Sequence, residues 1–388
     1  MTQPLVVIGA GLAGWTTVRE FRKLDTQTPV VLVTADSGDF YAKPSLSNAF
    51  AQGKRPAQLV NTPAARMAET LGVTLLPQTR VQTLDTAAKT VTTSAGVIAY
   101  SQLVLATGAQ PIRVPVEGDA ADQVLSVNSL EDFSTFHDQL QAVNDHVDGR
   151  RPHVLIMGAG LIGCEFANDL ASAGYRVSLV DPGSRPLAAL LPEAASAQLR
   201  EALAQLDVAF HFGSTVRAVN AGRSDMGALD ISLSNGQLVR ADRVLSAIGL
   251  RADTVLAKAA GLAVERGIVV NARLQTSAPA VHALGDCTQY HHGATLPFVM
   301  PIMSSAKVLA ATLAGQPAEL TFPLMPVSVK TPALPLVIAP PPPGSTGQWL
   351  APEAGLWQWL DDAGRQRGFV LSGAQTSQRL AQSKQVAL

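Results

Sequence analysis

The alternation of apolar and polar stretches along the chain predicts two strand–helix–strand units. In the first, the apolar run PLVVI (4–8) leads into a glycine-rich turn, a helical segment and a second strand, PVVLVTAD (29–36). In the second, PHVLIM (152–157) is followed by the same series of elements and by the strand YRVSLVD (175–181). Short apolar runs that alternate with helical segments are typical of α/β units. We therefore predict that one structural device occurs twice.

Each predicted turn carries the spacing Gly-x-Gly-x-x-Gly, and each glycine has its own physical reason. The first allows the tight turn, the second lets the backbone approach a pyrophosphate, and the third lets the helix pack against the strand. The helix N-terminus then directs its N–H groups and its dipole at the phosphates. The residues predicted to form these two dinucleotide cradles are Gly9, Ala10, Gly11, Leu12 and Gly14, and Gly158, Gly160, Leu161, Ile162 and Gly163.

An aspartate ends the second strand of each unit, where a carboxylate is expected to bind a ribose. Asp36 lies 22 residues after Gly14 and Asp181 lies 18 residues after Gly163, close to the roughly 20 typical of this fingerprint. A pair of purely structural turns is the alternative, but the order of elements favours two dinucleotides, a flavin and a nicotinamide. Asp181 favours NADH because its carboxylate repels a 2′-phosphate. Arg185 is either a phosphate contact or a solvated side chain.

The amino-acid composition limits the class of protein but predicts no further binding or catalytic site. The chain has 388 residues, of which 47% are hydrophobic and 15% charged, so we expect two or three domains with large cores. The net charge of −1 gives no indication of nucleic-acid binding, and the proline-rich run after Lys330 excludes a membrane helix there. Cys164 and Cys287 form no CxxC pair, and the N-terminus shows no signal peptide, so we expect a cytoplasmic protein. No metal site is predicted, since the His291–His292 pair has no further ligand at metal spacing.

Three further segments complete a resemblance to the two-dinucleotide FAD/NAD(P)H oxidoreductase family. They are LVLATGAQPIRVPVEG (103–118), VLSAIGLRADT (244–254) and TSAPAVHALGDCTQY (276–290), and the stretch 79–100 is similar to the family's small β-meander. The resemblance implies FAD in the first cradle and NADH in the second. It also implies that Asp286 binds the ribityl chain of the flavin and that Val81 lies near the adenine. The other residues that it adds are Thr34, Ala35, Ala106, Thr107 and Gly108 for FAD, and Gly249 for NAD.

Within that family, the chain most resembles the NADH-dependent rubredoxin reductases, with the flavorubredoxin reductases as near relatives. The segments that carry this resemblance are YAKPSLS (41–47), IRVPVEGD (112–119), GLIGCEFANDL (160–170), FVMPIM (298–303) and PVSVKTPALPLVIAPPPPG (326–344). The implied fold is α/β, with two Rossmann-like dinucleotide-binding domains of ββα type, for FAD and NAD, and a small C-terminal α+β domain. The implied FAD-binding domain is 1–118 plus 243–318, the NAD-binding domain is 119–242 and the C-terminal domain is 319–388. We expect 332–343 to be a stiff, proline-rich connection, and the protein to be a monomer.

The resemblance places three ionisable residues at the flavin, and we predict these as catalytic. Lys43 and Lys330 are the cations expected to stabilise the anionic reduced flavin, and Glu165 is expected near the flavin N5 and the nicotinamide. Helix geometry predicts Glu165 on the first helical turn, where the dipole alone favours a carboxylate by ~0.3–1 kcal/mol. The family commonly pairs this glutamate with a lysine at the position of Asn48, so we expect Lys43 or Lys330 to replace it. Val299 is either packed near the flavin or an ordinary core residue.

No thiol accompanies the predicted flavin, because YAKPSLSN contains no cysteine. A disulfide relay or a peroxidase mechanism is therefore disfavoured. We expect electrons to pass directly from the flavin to rubredoxin, the acidic one-iron carrier that the resemblance implies. After Asp362 the chain has no Asp or Glu but has Arg365, Arg367, Arg379 and Lys384, which form either a basic docking surface or an ordinary solvated face. Reduction of ferredoxin or flavorubredoxin, and an NADH-sensing flavoprotein, are the alternatives.

Overall fold

The computed structural model describes residues 3–146, 151–222 and 228–387, which form two compact units. The first unit runs to Ala42 and takes in Val60–Gln110 and Leu250–Pro323. The second takes in Lys43–Leu59, Pro111–Gly249 and the chain from Leu324 onwards. A division into two units does not test the three predicted domain boundaries, which stay a prediction.

Helices and strands alternate along much of the chain, as the sequence predicts for an α/β protein. The α-helices are α1 (Leu12–Arg22), α2 (Ala64–Leu71), α3 (Leu130–His146), α4 (Leu161–Ser172), α5 (Glu193–Ala204), α6 (Val255–Ala259), α7 (Val299–Leu313) and α8 (Arg379–Gln385). The strands are β1 (Leu5–Ile8), β2 (Val30–Val33), β3 (Phe40–Tyr41), β4 (Val60–Thr62), β5 (Thr74–Leu76), β6 (Val81–Asp85), β7 (Thr90–Thr93), β8 (Gly96–Ala99), β9 (Gln102–Leu105), β10 (Ala109–Pro111), β11 (Val124–Leu125), β12 (His153–Met157), β13 (Arg176–Asp181), β14 (Val208–Phe212), β15 (Val216–Ala221), β16 (Leu229–Leu233), β17 (Leu238–Ala241), β18 (Arg243–Ser246), β19 (Leu250–Ala252), β20 (Ile268–Val269), β21 (Val281–Ala283), β22 (Thr288–Gln289), β23 (Val327–Val329), β24 (Leu336–Ala339), β25 (Gly347–Glu353), β26 (Leu356–Asp361) and β27 (Gln366–Ser372). Short 3-10 helices span Lys43–Asn48, Pro56–Leu59, Ala121–Gln123 and Gly373–Gln378.

The first unit is built on a five-stranded sheet with the strand order β21-β9-β1-β2-β5. All neighbouring strands are parallel, and Leu5 in β1 lies opposite Val30 in β2 and Gln102 in β9. Strand β1 is buried at every position, which explains its continuous apolar sequence. The meander that the sequence predicts within 79–100 is present as the antiparallel strands β6, β7 and β8.

Helix α1 packs one apolar face into the core of the first unit. Trp15, Val18 and Phe21 are buried at helical spacing. The indole Nε1 of Trp15 donates a hydrogen bond to the carbonyl oxygen of Gly38 at 2.8 Å, so this large side chain is buried with its polar atom satisfied. The helix is thereby fixed against the turn that follows β2.

The second unit repeats this architecture with different residues. Its parallel sheet has the order β11-β18-β12-β13-β14, and β12 is again buried at every position. A three-stranded antiparallel sheet of β15, β16 and β17 accompanies it. The prediction of an α/β chain with two Rossmann-like units is therefore confirmed.

The C-terminal part of the second unit is an antiparallel sheet with the order β23-β24-β27-β26-β25, followed by the short helix α8. The prediction that 332–343 is only a stiff connection is wrong in its middle. Leu336–Ala339 is a fully buried strand that pairs with β27. Its LVIA sequence suits a buried strand, and Pro335 and Pro340 lie just outside it, where a missing N–H donor costs the sheet no ladder bond.

Candidate functional site

The parallel sheet of the first unit brings most of the predicted FAD residues to one edge. Strands β21, β9, β1 and β2 are parallel neighbours, so their carboxyl ends meet at the same edge of the sheet. Dinucleotides bind at this edge in open parallel sheets. The residues that follow these strands are Asp286; Ala106, Thr107 and Gly108; Gly9, Ala10, Gly11, Leu12 and Gly14; and Thr34, Ala35 and Asp36.

Close packing requires two of the three glycines in the first cradle. A Cβ atom on Gly9, which has a φ of +108°, would overlap the carbonyl oxygen of Ala106. A Cβ on Gly14 would overlap the carbonyl oxygen of Gly9. At Gly11, by contrast, an added Cβ meets no atom of the described chain within 4 Å. The first and third glycines therefore serve the fold, whereas the second allows the close approach of a pyrophosphate.

The second cradle has the same arrangement in the second unit. A Cβ on Gly158 would crowd the carbonyl oxygen of Ala247 at 2.6 Å, and a Cβ on Gly163 would overlap the carbonyl oxygen of Gly158. An added Cβ on Gly160 meets nothing within 4 Å among the described residues. Gly249 has a φ of +115° and follows β18, the parallel neighbour of β12, so it lies at the same sheet edge as the fingerprint.

The starts of α1 and α4 both suit an anion. The N-cap residues Gly11 and Gly160 have extended backbones, with φ and ψ of −74° and −168° and of −77° and −169°. Within the described chain no side chain caps either helix, and the first turns LAGW and LIGC contain no acidic residue. Uncapped N–H groups at the positive end of a helix are ready donors for a phosphate. The residues present therefore fit a dinucleotide in each cradle.

The two aspartates are held differently, and only Asp181 ends its strand, because β2 ends at Val33, three residues before Asp36. Asp36 accepts hydrogen bonds from the Thr34 hydroxyl at 2.5 Å and from the backbone N–H of Gly38 at 3.0 Å. Asp181 accepts from the backbone N–H of Gly183 at 2.6 Å and from that of Ala159, inside the second fingerprint, at 2.7 Å. Asp181 is thus tied to its cradle. Each carboxylate keeps further acceptor positions with which to bind a ribose.

Arg185 is not simply solvated. Its guanidinium donates to the carbonyl oxygen of Leu191 at 2.8 Å and to that of Ala188 at 3.3 Å. These bonds brace the loop that follows Asp181. The alternative, a contact to a phosphate, stays a prediction.

The remaining predicted flavin contacts are distributed along the first unit. Thr107 donates its hydroxyl to the carbonyl oxygen of Asp253 at 2.9 Å, and the carbonyl oxygen of Gly108 accepts from the N–H of Asp253 at 2.9 Å. Val81 begins β6 and is half-buried. Val299 begins α7 and is 39% exposed, so it is not an ordinary core residue.

In the second unit, Glu165, Lys330 and Ser47 form a compact polar cluster. The Lys330 ammonium lies 2.6 Å from Glu165 Oε2 and 2.8 Å from Ser47 Oγ, and the Ser47 hydroxyl donates to Glu165 Oε2 at 2.7 Å. Glu165 Oε1 accepts from the backbone N–H of Lys330 at 3.0 Å. Lys330 is therefore the partner of Glu165, which decides between the two lysines that the sequence left open. The exposed fractions of the two side chains are 31% for Lys330 and 9% for Glu165.

The predicted place of Glu165 on the first helical turn is wrong. Helix α4 begins at Leu161 and has no acidic residue in its first turn, so Glu165 starts the second turn. The helix dipole falls off within the first turn and does not explain this carboxylate. The hydrogen bonds that Glu165 accepts from Ser47 and Lys330 explain why a carboxylate is stable at this buried position.

Helix α4 continues this polar face one turn later with two residues that the sequence interpretation missed. The two carboxylate oxygens of Asp169 accept the backbone N–H groups of Phe50 and Ala51 at 3.0 and 2.9 Å. Asn168 Oδ1 accepts the N–H of Ala333 at 3.0 Å. Burial raises the pKa of Asp169. The signal for these residues was the i, i+3, i+4 spacing of Glu165, Asn168 and Asp169 on an otherwise apolar helix, which places all three on one face.

Neither cysteine has the features of a reactive thiol. Cys164 is buried and its Sγ donates to the carbonyl oxygen of Ala159 at 3.3 Å; Cys287 is buried and donates to that of Leu284 at 3.3 Å. Burial raises the pKa of both thiols, which disfavours the thiolate. Across the described ranges, no three or more His, Cys, Asp or Glu residues are placed to hold a metal ion. In the same ranges, every helix is too short or too polar to cross a membrane.

The basic residues near the C-terminus are largely engaged. Arg365 lies 3.1 Å and Arg367 lies 4.0 Å from a carboxylate oxygen of Asp361. The Arg379 guanidinium donates to Ser328 Oγ at 3.3 Å and to the carbonyl oxygen of Pro326 at 3.2 Å. A carboxylate that precedes the acid-free segment therefore offsets part of its charge.

Comparison with known proteins agrees with these two cradles. The profile of the pyridine nucleotide-disulphide oxidoreductase family matches residues 3–310, and that of the rubredoxin binding C-terminal domain matches residues 319–386. A rubredoxin-NAD(+) reductase of Alcanivorax borkumensis is 44% identical over 388 residues, which cover 99% of this chain and 98% of the relative. A nitric oxide reductase FlRd-NAD(+) reductase of Aeromonas salmonicida is 41% identical over 97% of this chain and 95% of the relative. The resemblance inferred from the sequence motifs is confirmed.

The fold is also found among solved structures. A chain in the crystal structure of the covalent putidaredoxin reductase–putidaredoxin complex superposes with a TM-score of 0.86. The match covers 99% of this chain and 93% of the other, at 23% sequence identity. At this identity the likeness establishes the fold alone.

Proposed function

This chain belongs to the pyridine nucleotide-disulphide oxidoreductase family, and we propose that it is an NADH-dependent rubredoxin reductase that uses FAD. The observation that carries the proposal is the full-length similarity to a rubredoxin-NAD(+) reductase, joined to a C-terminal region of the rubredoxin-binding type. The two dinucleotide cradles would bind the electron donor, NADH, and the flavin that it reduces. The C-terminal domain would bind the electron acceptor, rubredoxin.

The first cradle would hold FAD and the second NADH. FAD, when bound, supplies the chemistry of the reaction, because it accepts a hydride and releases electrons singly. The chain's part is to bind and orient. The N–H groups at the starts of α1 and α4 receive the pyrophosphates, and Asp36 and Asp181 accept ribose hydroxyls. Asp181 selects NADH, since its negative charge repels a 2′-phosphate.

Direct electron transfer, without a thiol relay, is part of the proposal. It is supported by the environments of Cys164 and Cys287, both buried with raised pKa values. We assign Glu165 and Lys330 to the flavin edge as a fixed ion pair, and Lys43, at the start of the same 3-10 helix as Ser47, to the FAD. The NADH coenzyme that we propose leads us to propose a cytoplasmic location as well.

A flavorubredoxin reductase is the second candidate. It is favoured by the 41% identity to the FlRd-NAD(+) reductase of Aeromonas salmonicida. Rubredoxin and flavorubredoxin would both be reduced directly by the flavin, so the dinucleotide cradles do not distinguish the two candidate functions. Measuring the reduction rates of the two carriers distinguishes them.

The proposal is tested by anaerobic reduction of the holoprotein with NADH, followed by separate mixing with rubredoxin, flavorubredoxin, ferredoxin and oxygen. We expect NADH to bleach the flavin and rubredoxin to reoxidise it fastest. A preference for ferredoxin or oxygen would contradict the assignment. Tight binding of NADH without turnover would identify an NADH sensor instead. A salt titration of the rubredoxin rate measures how much the remaining basic surface contributes to docking.

A further inference from the structure

The Ser47 hydroxyl occupies an unusual position between two opposite charges. Ser47 is 5% exposed, and its Oγ accepts from the Lys330 ammonium at 2.8 Å while its proton goes to Glu165 Oε2 at 2.7 Å. Its other neighbour, the carbonyl oxygen of Pro44, is 3.5 Å away, so the carboxylate is the favoured acceptor. A single hydroxyl therefore links the cation to the anion and fixes the position of each.

The Lys330 ammonium has no donor to spare in this arrangement. A lysine ammonium carries three N–H donors. They match three acceptors of the described chain, namely the carbonyl oxygen of Pro44 at 2.6 Å, Ser47 Oγ at 2.8 Å and Glu165 Oε2 at 2.6 Å. Lys330 therefore acts as a fixed positive charge and not as a hydrogen-bond donor to a substrate or cofactor.

We propose that Ser47 is a positioning residue, which holds the Glu165–Lys330 pair in the one geometry that supports hydride transfer. The inference rests on the proposed function, in which this pair is the charged group beside the reacting atoms. Without the hydroxyl, the ammonium has an unused N–H and Glu165 Oε2 has an unused lone pair. Both side chains can then turn toward other partners. This weakens the electrostatic field of the pair at the reacting atoms, because that field depends on the correct placement of both charges.

The test measures flavin bleaching by NADH in stopped flow, in the absence of any protein acceptor. Ser47→Ala is expected to lower the hydride-transfer rate constant about tenfold and to shift the flavin midpoint potential, with FAD content and NADH affinity unchanged. Ser47→Thr keeps the hydroxyl and is expected to restore the rate. Ser45→Ala, in the same 3-10 helix and half-buried, is the matched control and is expected to leave the rate unchanged.

A double-mutant cycle separates positioning from simple destabilisation. If Ser47 acts through Lys330, then Ser47→Ala has no further effect on the rate in a Lys330→Met background. Additive losses in the two variants would overturn the proposal. So would an unchanged rate and potential in Ser47→Ala, or a loss that Ser47→Thr fails to restore in a fully FAD-loaded protein.

Failure of this inference is distinguishable from failure of the proposed function. Flavin bleaching does not depend on which carrier is reduced. A wild-type protein that bleaches with NADH but does not reduce rubredoxin contradicts the proposed function and leaves the Ser47 measurement valid. A wild-type protein that reduces rubredoxin while Ser47→Ala bleaches at the normal rate contradicts only the inference.

Discussion

Helix α1 in the first unit and helix α4 in the second begin almost identically and then diverge. Their capping residues Gly11 and Gly160 have nearly the same backbone angles. In both turns the third glycine packs against the carbonyl oxygen of the first. Five residues after the capping glycine, however, α1 has Thr16 and α4 has Glu165. The start of each helix is constrained by close backbone packing at the turn and by the dinucleotide that we propose there, and the positions beyond it are not.

The same contrast holds one turn further along. Arg19 and Glu20 in α1 occupy the places of Asn168 and Asp169 in α4. Glu20 makes an ion pair with Lys23 at 2.6 Å, in which the lysine side chain is 61% exposed and the glutamate side chain 17% exposed. Asp169 is 1% exposed and accepts two backbone N–H groups. The acidic residue at this position makes a partly exposed ion pair with the C-cap residue of its own helix in α1, whereas in α4 it is buried and binds the backbone of a neighbouring segment.

The largest loss of stability is expected at the third glycine of each cradle, where the two cradles are most alike. Gly14→Ala and Gly163→Ala would each place a Cβ on a backbone carbonyl oxygen, so helix and strand must separate. We expect each variant to lose about 3 kcal/mol of stability or more. Thermal unfolding and bound FAD per chain are the measurements. The comparison breaks if one of the two variants unfolds at the wild-type temperature.

The next effect tests the divergence of the helix faces. Asp169→Asn replaces one of two acceptor oxygens by a donor that faces a backbone N–H, and is expected to cost about 1–3 kcal/mol. Glu20→Gln, at the matching position of α1, removes one ion pair with a largely exposed lysine and should cost about 0–1 kcal/mol. Chemical denaturation of both variants measures the difference. Equal losses of unfolding free energy in the two variants would show that the acidic residues on the two helices contribute equally to stability.

The stability of the Asp169→Asn variant also has a characteristic pH dependence. Because burial raises the pKa of Asp169 in the folded protein, the folded state holds this proton more tightly than the unfolded chain. The contribution of Asp169 to stability is therefore greatest below its ordinary pKa of 3.8 and falls as the pH rises through the raised value. Since asparagine does not titrate, the stability deficit of Asp169→Asn should shrink as the pH rises through this window, which chemical denaturation at a series of pH values measures.

The features common to both helices were predictable because their causes are local in sequence. The apolar runs, the glycine spacing and the aspartates at 36 and 181 all lie within short windows of sequence, and each follows from backbone geometry at one turn. The place of Glu165 within its helix was wrong because Glu165 is the fifth residue counted from Leu161, whereas one helical turn holds only about 3.6 residues.

The features that distinguish α4 from α1 were mostly not predictable. Ser47 and Lys330 lie 118 and 165 residues from Glu165 in sequence, and only the tertiary fold brings them together. The choice of Lys330 over Lys43 as partner depends on the same fold. The shared partner of Arg365 and Arg367 could have been predicted, since Asp361 is close in sequence, but the acid-free stretch that suggested a basic surface begins two residues after it, at Ala363.

A smaller effect separates the two cradles by their ligands. Gly11→Ala and Gly160→Ala are sterically tolerated in the described structure, because the added methyl group meets no atom of the chain and the φ angles suit alanine. Stability should change by about 0.5 kcal/mol or less. The methyl group should instead weaken ligand binding about tenfold, or roughly 1.4 kcal/mol. We expect Gly11→Ala to lose FAD and Gly160→Ala to raise the KM for NADH while keeping FAD, and the opposite pattern would reverse the assignment.

The smallest effect concerns the two aspartates, whose surroundings differ most within the cradles. Asp181→Asn removes the charge that we expect to repel a 2′-phosphate, so the preference for NADH over NADPH should fall about fivefold, or roughly 1 kcal/mol. Asp36→Asn is the matched change in the other cradle and should leave the NADH to NADPH ratio of kcat/KM unchanged, although it weakens FAD retention. The Asn side chain at 181 loses an acceptor for either Ala159 or Gly183, so thermal unfolding of both variants must accompany the kinetics. A shift of the ratio in Asp36→Asn but not in Asp181→Asn would mean that the nicotinamide coenzyme binds the first cradle, because only a carboxylate beside the adenosine ribose can sense the 2′-phosphate.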